Sequence, residues 1–235
     1  MCGRFTQKFT WQEVAGAYGL NQTPRNIRPN YNVCPTDPIS VIIPGDNGLF
    51  LMDMRWGLIP RWWKKSLKEL PVTFNARSET VAEKPIFRDS FKRNRCLIPA
   101  SGYFEWHTVG KDKQPYYFTP RNGSVLTFAG LWETWKDRIN DETLTSCTIL
   151  ITEANQFVSA IHDRMPVILE PGDFGPWLSK GTVELLKPAP EDALRIWPVS
   201  KRVNKVGNAD DATLIEPVTI EGRASQDKVR DLFLH

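Results

Sequence analysis

The sequence has few of the residues from which metal centres and cofactor sites are usually built. Its 235 residues include three histidines and four cysteines, and no two cysteines form a CxxC pair. This spacing argues against a zinc site and, in a reducing compartment, against disulfides. A Gly-rich phosphate loop is missing as well. We therefore expect neither a metal nor another cofactor.

Long apolar runs and flexible linkers are also missing. No segment is long and apolar enough to span a bilayer, and no basic segment precedes an apolar one at the amino terminus. No repeat or low-complexity tract interrupts the chain. With 41% hydrophobic and 24% charged residues, the composition is that of a globular protein. We expect an intracellular monomer with one domain over residues 1–235, cytoplasmic in a bacterium or phage host and nuclear in a eukaryote.

Strand-like runs dominate the pattern of apolar residues. They cover residues 39–43, 48–57, 95–106, 115–120, 125–135, 147–152, 164–170 and 194–200. Helical patterns are short and lie at 11–18 and near 86–92, 156–161, 174–178 and 183–186. The proline-containing stretch 25–38 is predicted to be a loop. This order predicts an α+β fold with a strongly bent, barrel-like mixed β-sheet core and short peripheral helices.

Cys2 is the first residue that suggests chemistry. If Met1 is removed, Cys2 carries a free α-amine beside its thiol, and both groups are partly nucleophilic at neutral pH. Such a pair traps aldehydes, because the amine forms an imine and the thiol then closes a thiazolidine ring. Taken alone, a cysteine at position 2 is more often incidental than functional. The other three cysteines lie beside apolar residues and are interpreted as buried thiols.

The stretch TFNARSET, residues 73–80, places an amide, a guanidinium and a carboxylate at alternate positions. On an extended segment Asn75, Arg77 and Glu79 would share one face, where they could hold a polar, anionic ligand. A solvated strand face is the alternative interpretation.

Glu105 and His162 are the candidate acid–base residues. Glu105 lies between two aromatic residues, and partial desolvation there would raise its pKa and suit proton transfer. Strand alternation favours the opposite arrangement, with the aromatic residues inside and Glu105 in water. His162 follows an apolar stretch and can act as an acid or base near pH 7. A structural histidine explains its position equally well.

The segment RWGLIPRWWKKS, residues 55–66, interleaves tryptophans with cations. Bases stack on indole rings, and arginine and lysine side chains can follow phosphates. The net charge of +3 neither requires nor excludes nucleic acid, since a local basic surface would suffice. Aromatic residues more often build cores, but Trp62 and Trp63 cannot both point inward on a strand. We therefore expect one of these two indole rings to be exposed.

Together these stretches resemble the SRAP family of SOS-response-associated peptidases. The resemblance runs from Met1 to about Pro217 and is carried by MCGRF, YNVCPT, WGLIPRWW, NARSET, RCLIPASGYFEW, FAGLWETW, ILITEAN, IHDRMPVIL and PVSKRVN. It implies a protein that removes its own Met1, binds single-stranded DNA at abasic sites and links Cys2 to the opened sugar as a thiazolidine. The imine intermediate would also permit strand cleavage by β-elimination.

The resemblance also implies roles for particular residues. Those at the reacting groups are the nucleophile Cys2 and, around it, Asn75, Glu105 and His162. Those that contact DNA are the phosphate ligands Arg4, Arg77 and Arg164 and the wedge residues Trp62 and Trp63. In this scheme His162 helps to open the sugar hemiacetal, Glu105 shuttles protons, and Asn75 orients the amine and thiol.

Two other classes of protein remain in competition. N-terminal-nucleophile amidohydrolases, such as class II glutamine amidotransferases, also begin MCG and use the α-amine as a base for the thiol. Their other familiar blocks are missing from this sequence, and the mixture of Trp and Arg would go unexplained. The third class is a non-catalytic single-strand binder in which Cys2 is incidental.

Overall fold

The computed structural model describes residues 2–137, 141–205 and 210–220. Within them the strands are β1 Phe5–Gln7, β2 Asn30–Val33, β3 Pro38–Gly45, β4 Gly48–Trp56, β5 Asn75–Arg77, β6 Arg95–Ala100, β7 Gly102–Val109, β8 Asp112–Pro120, β9 Leu126–Lys136, β10 Thr143–Glu153, β11 Arg164–Pro166 and β12 Leu194–Pro198. The helices are α1 Trp11–Tyr18, α2 Arg88–Arg93, α3 Gln156–Ser159 and α4 Phe174–Ser179. Short 3-10 turns lie at Leu67–Glu69, Pro171–Asp173, Val183–Leu185, Lys201–Asn204 and Ala212–Ile215. None of the described helices is long and apolar enough to cross a membrane.

Five strands close into a mixed barrel in the order β10–β4–β3–β6–β9. The ring closes because β10 pairs in parallel with β4 on one side and antiparallel with β9 on the other. Beyond the ring, β5 and β11 continue the pairing along β10. The predicted α+β fold with a barrel-like mixed sheet is therefore confirmed.

A second sheet, in the order β12–β8–β7–β1–β2, packs beside the barrel. The apolar run 95–106 was expected to form one strand, but it divides at Ser101 between the two sheets. The backbone N–H of Ser101 donates to Thr6 O at 2.9 Å, and the Thr119 hydroxyl donates to Ser101 O at 2.8 Å. These bonds fix the point where the chain passes from the barrel into the second sheet.

Apolar residues on the barrel strands alternate between two buried clusters. On β3, for example, Val41 and Ile43 belong to the cluster between the barrel and the second sheet. Ile42 points to the other cluster, which is covered by α1 and α4. The alternation is the two-residue period of a strand buried on both faces.

Helix α1 has the bounds predicted from the sequence. Thr10 caps its first turn, because its hydroxyl accepts from Glu13 N while the Glu13 carboxylate accepts from Thr10 N. Gly19 ends the helix with φ of 63°, a left-handed conformation that suits glycine.

Three short strands differ from the prediction. β2 lies within the expected loop 25–38, and β1 and β5 were not predicted as strands. Each has three or four residues and is defined by partners distant in sequence, such as β10 for β5. A local pattern carries too little information to identify strands of this length.

Candidate active site

Cys2 lies at the start of the described chain, just before β1, and is completely buried. It packs in the cluster between the barrel and the second sheet, together with Phe5 and Tyr103. Burial raises the pKa of its thiol well above the ordinary value, and the nearby charge of Glu105 raises it further. The thiol is therefore protonated in the chain that carries Met1. Met1 itself lies outside the described residues.

Glu105 is buried on β7, with 1% of its surface exposed, so the expectation from strand alternation was wrong. The reason is that β7 is covered on both faces. Tyr103 and Glu105 face the same side, whereas Phe104 packs on the other side against Tyr117 and Val199. Burial raises the pKa of Glu105 to about 7, although the positive charge of the chain's amino terminus opposes the rise. Near neutral pH this carboxyl can therefore both donate and accept a proton.

His162 follows α3 and brings its imidazole to Glu105. Its Nε2 lies 3.9 Å from Glu105 Oε2. The backbone N–H of Arg164 donates to His162 Nδ1 at 3.0 Å, and Asp163 Oδ1 also lies 3.0 Å from this nitrogen. Nε2 is therefore the nitrogen that faces Glu105. Burial lowers the pKa of His162, and the positive amino terminus lowers it further, while Asp163 raises it. The imidazole is therefore neutral near pH 7.

The carboxyl and the imidazole open into a cleft of about 480 Å³. Its other lining residues are Trp106, Thr108, Lys113 and Asn204. The Trp106 indole donates to Asn204 Oδ1 at 2.6 Å, which fixes the ring at the cleft wall. Sequence reasoning named none of these four residues as part of the site. Only Trp106 had a signal in the sequence, since it directly follows Glu105.

Asn75 and Arg77 lie on β5, which pairs with β10. The Asn75 side chain is largely buried, and within the described chain its Oδ1 has no hydrogen-bond partner. Arg77 is exposed at the end of the strand. Glu79 lies in the following turn, where its carboxylate accepts from Arg164 Nη1. Asn75, Arg77 and Glu79 thus do not form the common strand face that was expected. Glu79 instead pairs with Arg164.

Arg4 is the most enclosed of the predicted phosphate ligands, with 8% of its surface exposed. Its Nη1 donates to Asn32 Oδ1 and to Val203 O, both at 2.7 Å. These bonds tie the residue directly before β1 to β2 and to the 3-10 turn at Lys201–Asn204. A phosphate would compete with them, and the phosphate role of Arg4 stays a prediction.

The two adjacent tryptophans lie on residues 57–63, which we call the indole loop. Trp62 is 43% exposed, whereas Trp63 is half-buried. Their ring centroids are 6.0 Å apart and their planes meet at 52°. One exposed ring of the two is what the sequence led us to expect. Arg61, Lys64 and Lys65 are exposed on either side, so the ring stands in a basic surface.

The remaining cysteines are free and buried, as expected from their apolar neighbours. Burial raises the pKa of Cys34 and Cys96, and also that of Cys147. Within the described residues no group of three or more His, Cys, Asp or Glu side chains is placed to hold a metal ion.

A buried carboxyl that titrates near neutrality, a neutral imidazole and the start of the chain thus meet where a mixed barrel joins a second sheet. Glu105 and His162 lie together as two groups capable of proton transfer, and Glu105 is close enough to Cys2 to raise the pKa of its thiol. The family model "SOS response associated peptidase (SRAP)" matches residues 1–206, and the chain belongs to this family.

Similar proteins come from bacteria and animals. "Abasic site processing protein YoaM" of Bacillus subtilis is 36% identical over 217 residues, covering 88% of this chain and 95% of that protein. "Abasic site processing protein HMCES" of Xenopus tropicalis is 32% identical over 216 residues, covering 77% and 64%. A crystal structure of a protein from Bacteroides thetaiotaomicron is 26% identical with a TM-score of 0.83, covering 93% of this chain and 100% of that one.

Proposed function

We propose that the protein processes abasic sites in single-stranded DNA by forming a covalent thiazolidine through Cys2 after Met1 has been removed. The observation that carries the proposal is the contact between Glu105 and His162 beside Cys2. The names of the relatives, which are abasic site processing proteins, support the choice of substrate.

The proposed reaction needs proton transfer but no oxidant or reductant. The neutral Cys2 amine adds to the aldehyde carbon of the opened sugar and gives a carbinolamine. Protonated Glu105 donates to the carbinolamine hydroxyl, which leaves as water, and a protonated imine remains. The Cys2 thiol then adds to the imine carbon and its proton returns to the Glu105 carboxylate, which closes the ring. A carboxyl with a pKa of about 7 suits these steps because both of its forms are populated.

His162 is proposed to open the sugar. An abasic deoxyribose is mostly a closed hemiacetal, so a base must remove the hydroxyl proton while an acid protonates the ring oxygen. The neutral imidazole and the half-protonated Glu105 carboxyl supply a base and an acid within one cleft. Asn75, whose buried Oδ1 has no hydrogen-bond partner among the described residues, is proposed to orient the Cys2 amine.

Recognition is proposed to depend on phosphates and stacking, because an abasic nucleotide has no base to read. Arg77 is the last residue of β5 and is exposed. Arg164 is the first residue of β11 and forms an ion pair with Glu79. Trp62 offers an exposed indole face as a wedge between bases. A duplex would clash with such a wedge, whereas a single strand would not.

The acid–base groups of the cleft, Glu105 and His162, are also proposed to remove Met1. In this step Glu105 would activate a water molecule that hydrolyses the peptide bond before Cys2. The imine that precedes ring closure would also allow β-elimination, which would cleave the strand. Intact mass before and after incubation with an abasic oligonucleotide would detect both the loss of Met1 and the adduct.

The central test compares Cys2→Ala with the wild type on an abasic oligonucleotide, using a denaturing gel. We expect the wild type to migrate as a crosslinked species and the variant to give none, because the thiazolidine requires the thiol. The matched control is Cys34→Ala, which removes another buried thiol. Equal crosslinking by Cys2→Ala would refute the proposed role.

The amidohydrolase alternative is distinguished by its product. A glutaminase would release ammonia from glutamine in a Cys2-dependent reaction, without DNA. The family match over residues 1–206 favours abasic-site chemistry instead. A non-catalytic binder would retain single strands but form no adduct on the denaturing gel.

A further inference from the structure

The first half of the indole loop is held against β10 of the barrel. Gly57 N donates to Cys147 O at 2.8 Å, and Ile59 N donates to Ser146 Oγ, also at 2.8 Å. The loop residues up to Pro60 are buried. The chain therefore leaves the barrel in a fixed direction just before the exposed tryptophan.

The second half of the loop is held by two side chains of β9. Glu133 accepts from Arg61, with Nε 3.3 Å from Oε2 and Nη2 3.5 Å from Oε1. The Trp135 indole donates to Trp63 O at 2.8 Å. Residues 133 and 135 share one face of the strand. They therefore hold the loop immediately before and immediately after Trp62.

The Glu133 carboxylate is buried and held by several hydrogen bonds, unlike a charge on the protein surface. Its residue is 3% exposed, and it also accepts from Thr134 N at 3.1 Å and from Asn94 Nδ2 at 3.4 Å. A buried carboxylate needs such partners, and the guanidinium of Arg61 completes the set. Arg61 thus joins the loop to the barrel, although its position in the sequence suggested a phosphate ligand.

Resting on the proposed stacking role of Trp62 and Trp63, we propose that Glu133 and Trp135 are positioning residues that preset the indole loop for single-stranded DNA. They act through the loop: Glu133 through Arg61 and Trp135 through the backbone of Trp63. A loop that is ordered before binding loses less conformational freedom when DNA arrives, so affinity is higher for the same contacts.

The test uses two conservative variants and one control. Glu133→Gln keeps the shape but removes the charge that holds Arg61, and Trp135→Phe keeps an aromatic ring but removes the N–H donor. Trp132→Phe is the control, because Trp132 lies on the same strand and packs against the core. Within the described chain, the Trp132 indole makes no hydrogen bond to the indole loop. Thermal unfolding of all three checks that the fold is retained.

Binding to an undamaged single-stranded oligonucleotide is measured by fluorescence anisotropy. We expect each variant to bind about threefold to tenfold more weakly, as for the loss of one hydrogen bond, and the control to bind like the wild type. In crosslinking with an abasic oligonucleotide, the half-saturating concentration should change more than the rate at saturation. An unchanged affinity in both variants would overturn the inference.

A double-mutant comparison separates positioning from general damage. In a background with Trp62→Ala and Trp63→Ala, Glu133→Gln and Trp135→Phe should have no further effect on affinity, because the groups they position are gone. An equal loss in both backgrounds would overturn the inference. If the double tryptophan variant binds like the wild type, the proposed stacking fails and this inference fails with it. If only the tryptophan variants bind weakly, this inference alone fails.

Discussion

Replacing Glu105 by Gln should stabilise the fold at alkaline pH while it slows the chemistry. The folded protein raises the pKa of Glu105 from an ordinary 4.5 to about 7. Between these values the folded state binds more protons than the unfolded state, so the free energy of unfolding falls as pH rises. Below pH 4.5 this carboxyl contributes no destabilisation, and above pH 7 the destabilisation is complete.

The size of the effect follows from the two pKa values. Their difference corresponds to about 3 kcal/mol, at about 1.4 kcal/mol for each tenfold change in the ionisation constant. The side chain is buried, so screening by solvent reduces this figure little. We therefore expect Glu105→Gln to exceed the wild type in free energy of unfolding by ~2–3 kcal/mol at pH 8, and by much less at pH 5.

Urea unfolding at pH 5, 6, 7 and 8 measures the difference, with Glu184→Gln as the control because Glu184 is exposed. The crosslinking rate of Glu105→Gln with saturating abasic oligonucleotide should fall by about a hundredfold or more, the usual contribution of a positioned acid–base group. A constant difference in stability across this pH range would refute the burial argument. An unchanged single-turnover rate would remove Glu105 from the mechanism.

Three further substitutions test the DNA surface and the packing of β7. Trp62→Ala and Trp63→Ala should weaken binding to a single strand by ~1–3 kcal/mol for each base that loses its stacking partner, and anisotropy isotherms that overlay the wild type would contradict this. Gly102→Ala should lower the free energy of unfolding by ~1–3 kcal/mol, because the added Cβ would lie 2.4 Å from the backbone oxygen of Phe118. An unchanged urea midpoint for Gly102→Ala would show that β7 can shift without loss.

The parts of the fold that sequence patterns predicted are those with strong local signals. Helix α1 has a capping box at Thr10 and Glu13 and a left-handed Gly19 at its end. Local residues therefore identify both ends of this helix. The long barrel strands are apolar over many residues and were also identified. Strands such as β1 and β5 depend on partners far along the chain, and a single sequence does not reveal those partners.

Sequence reasoning named candidates for the site but neither their geometry nor the other residues that line the cleft. The family resemblance named Glu105 and His162, and the structure places their side chains 3.9 Å apart. Alternation placed Glu105 in water because it assumes one solvated face, whereas β7 is buried on both. The bonds of Arg4 to Asn32 and Val203 had no local signal either, since Val203 lies 199 residues away.

The junction at Ser101 has a consequence for how a substrate can enter. One continuous segment, which contains β6 and β7, belongs to both sheets. A movement that separates the sheets would therefore bend the chain at Ser101. Its bonds to Thr6 and Thr119 oppose such a bend. Cys2 is buried in the cluster between the two sheets, so under the proposed function the aldehyde must reach its amine and thiol without a separation of the sheets.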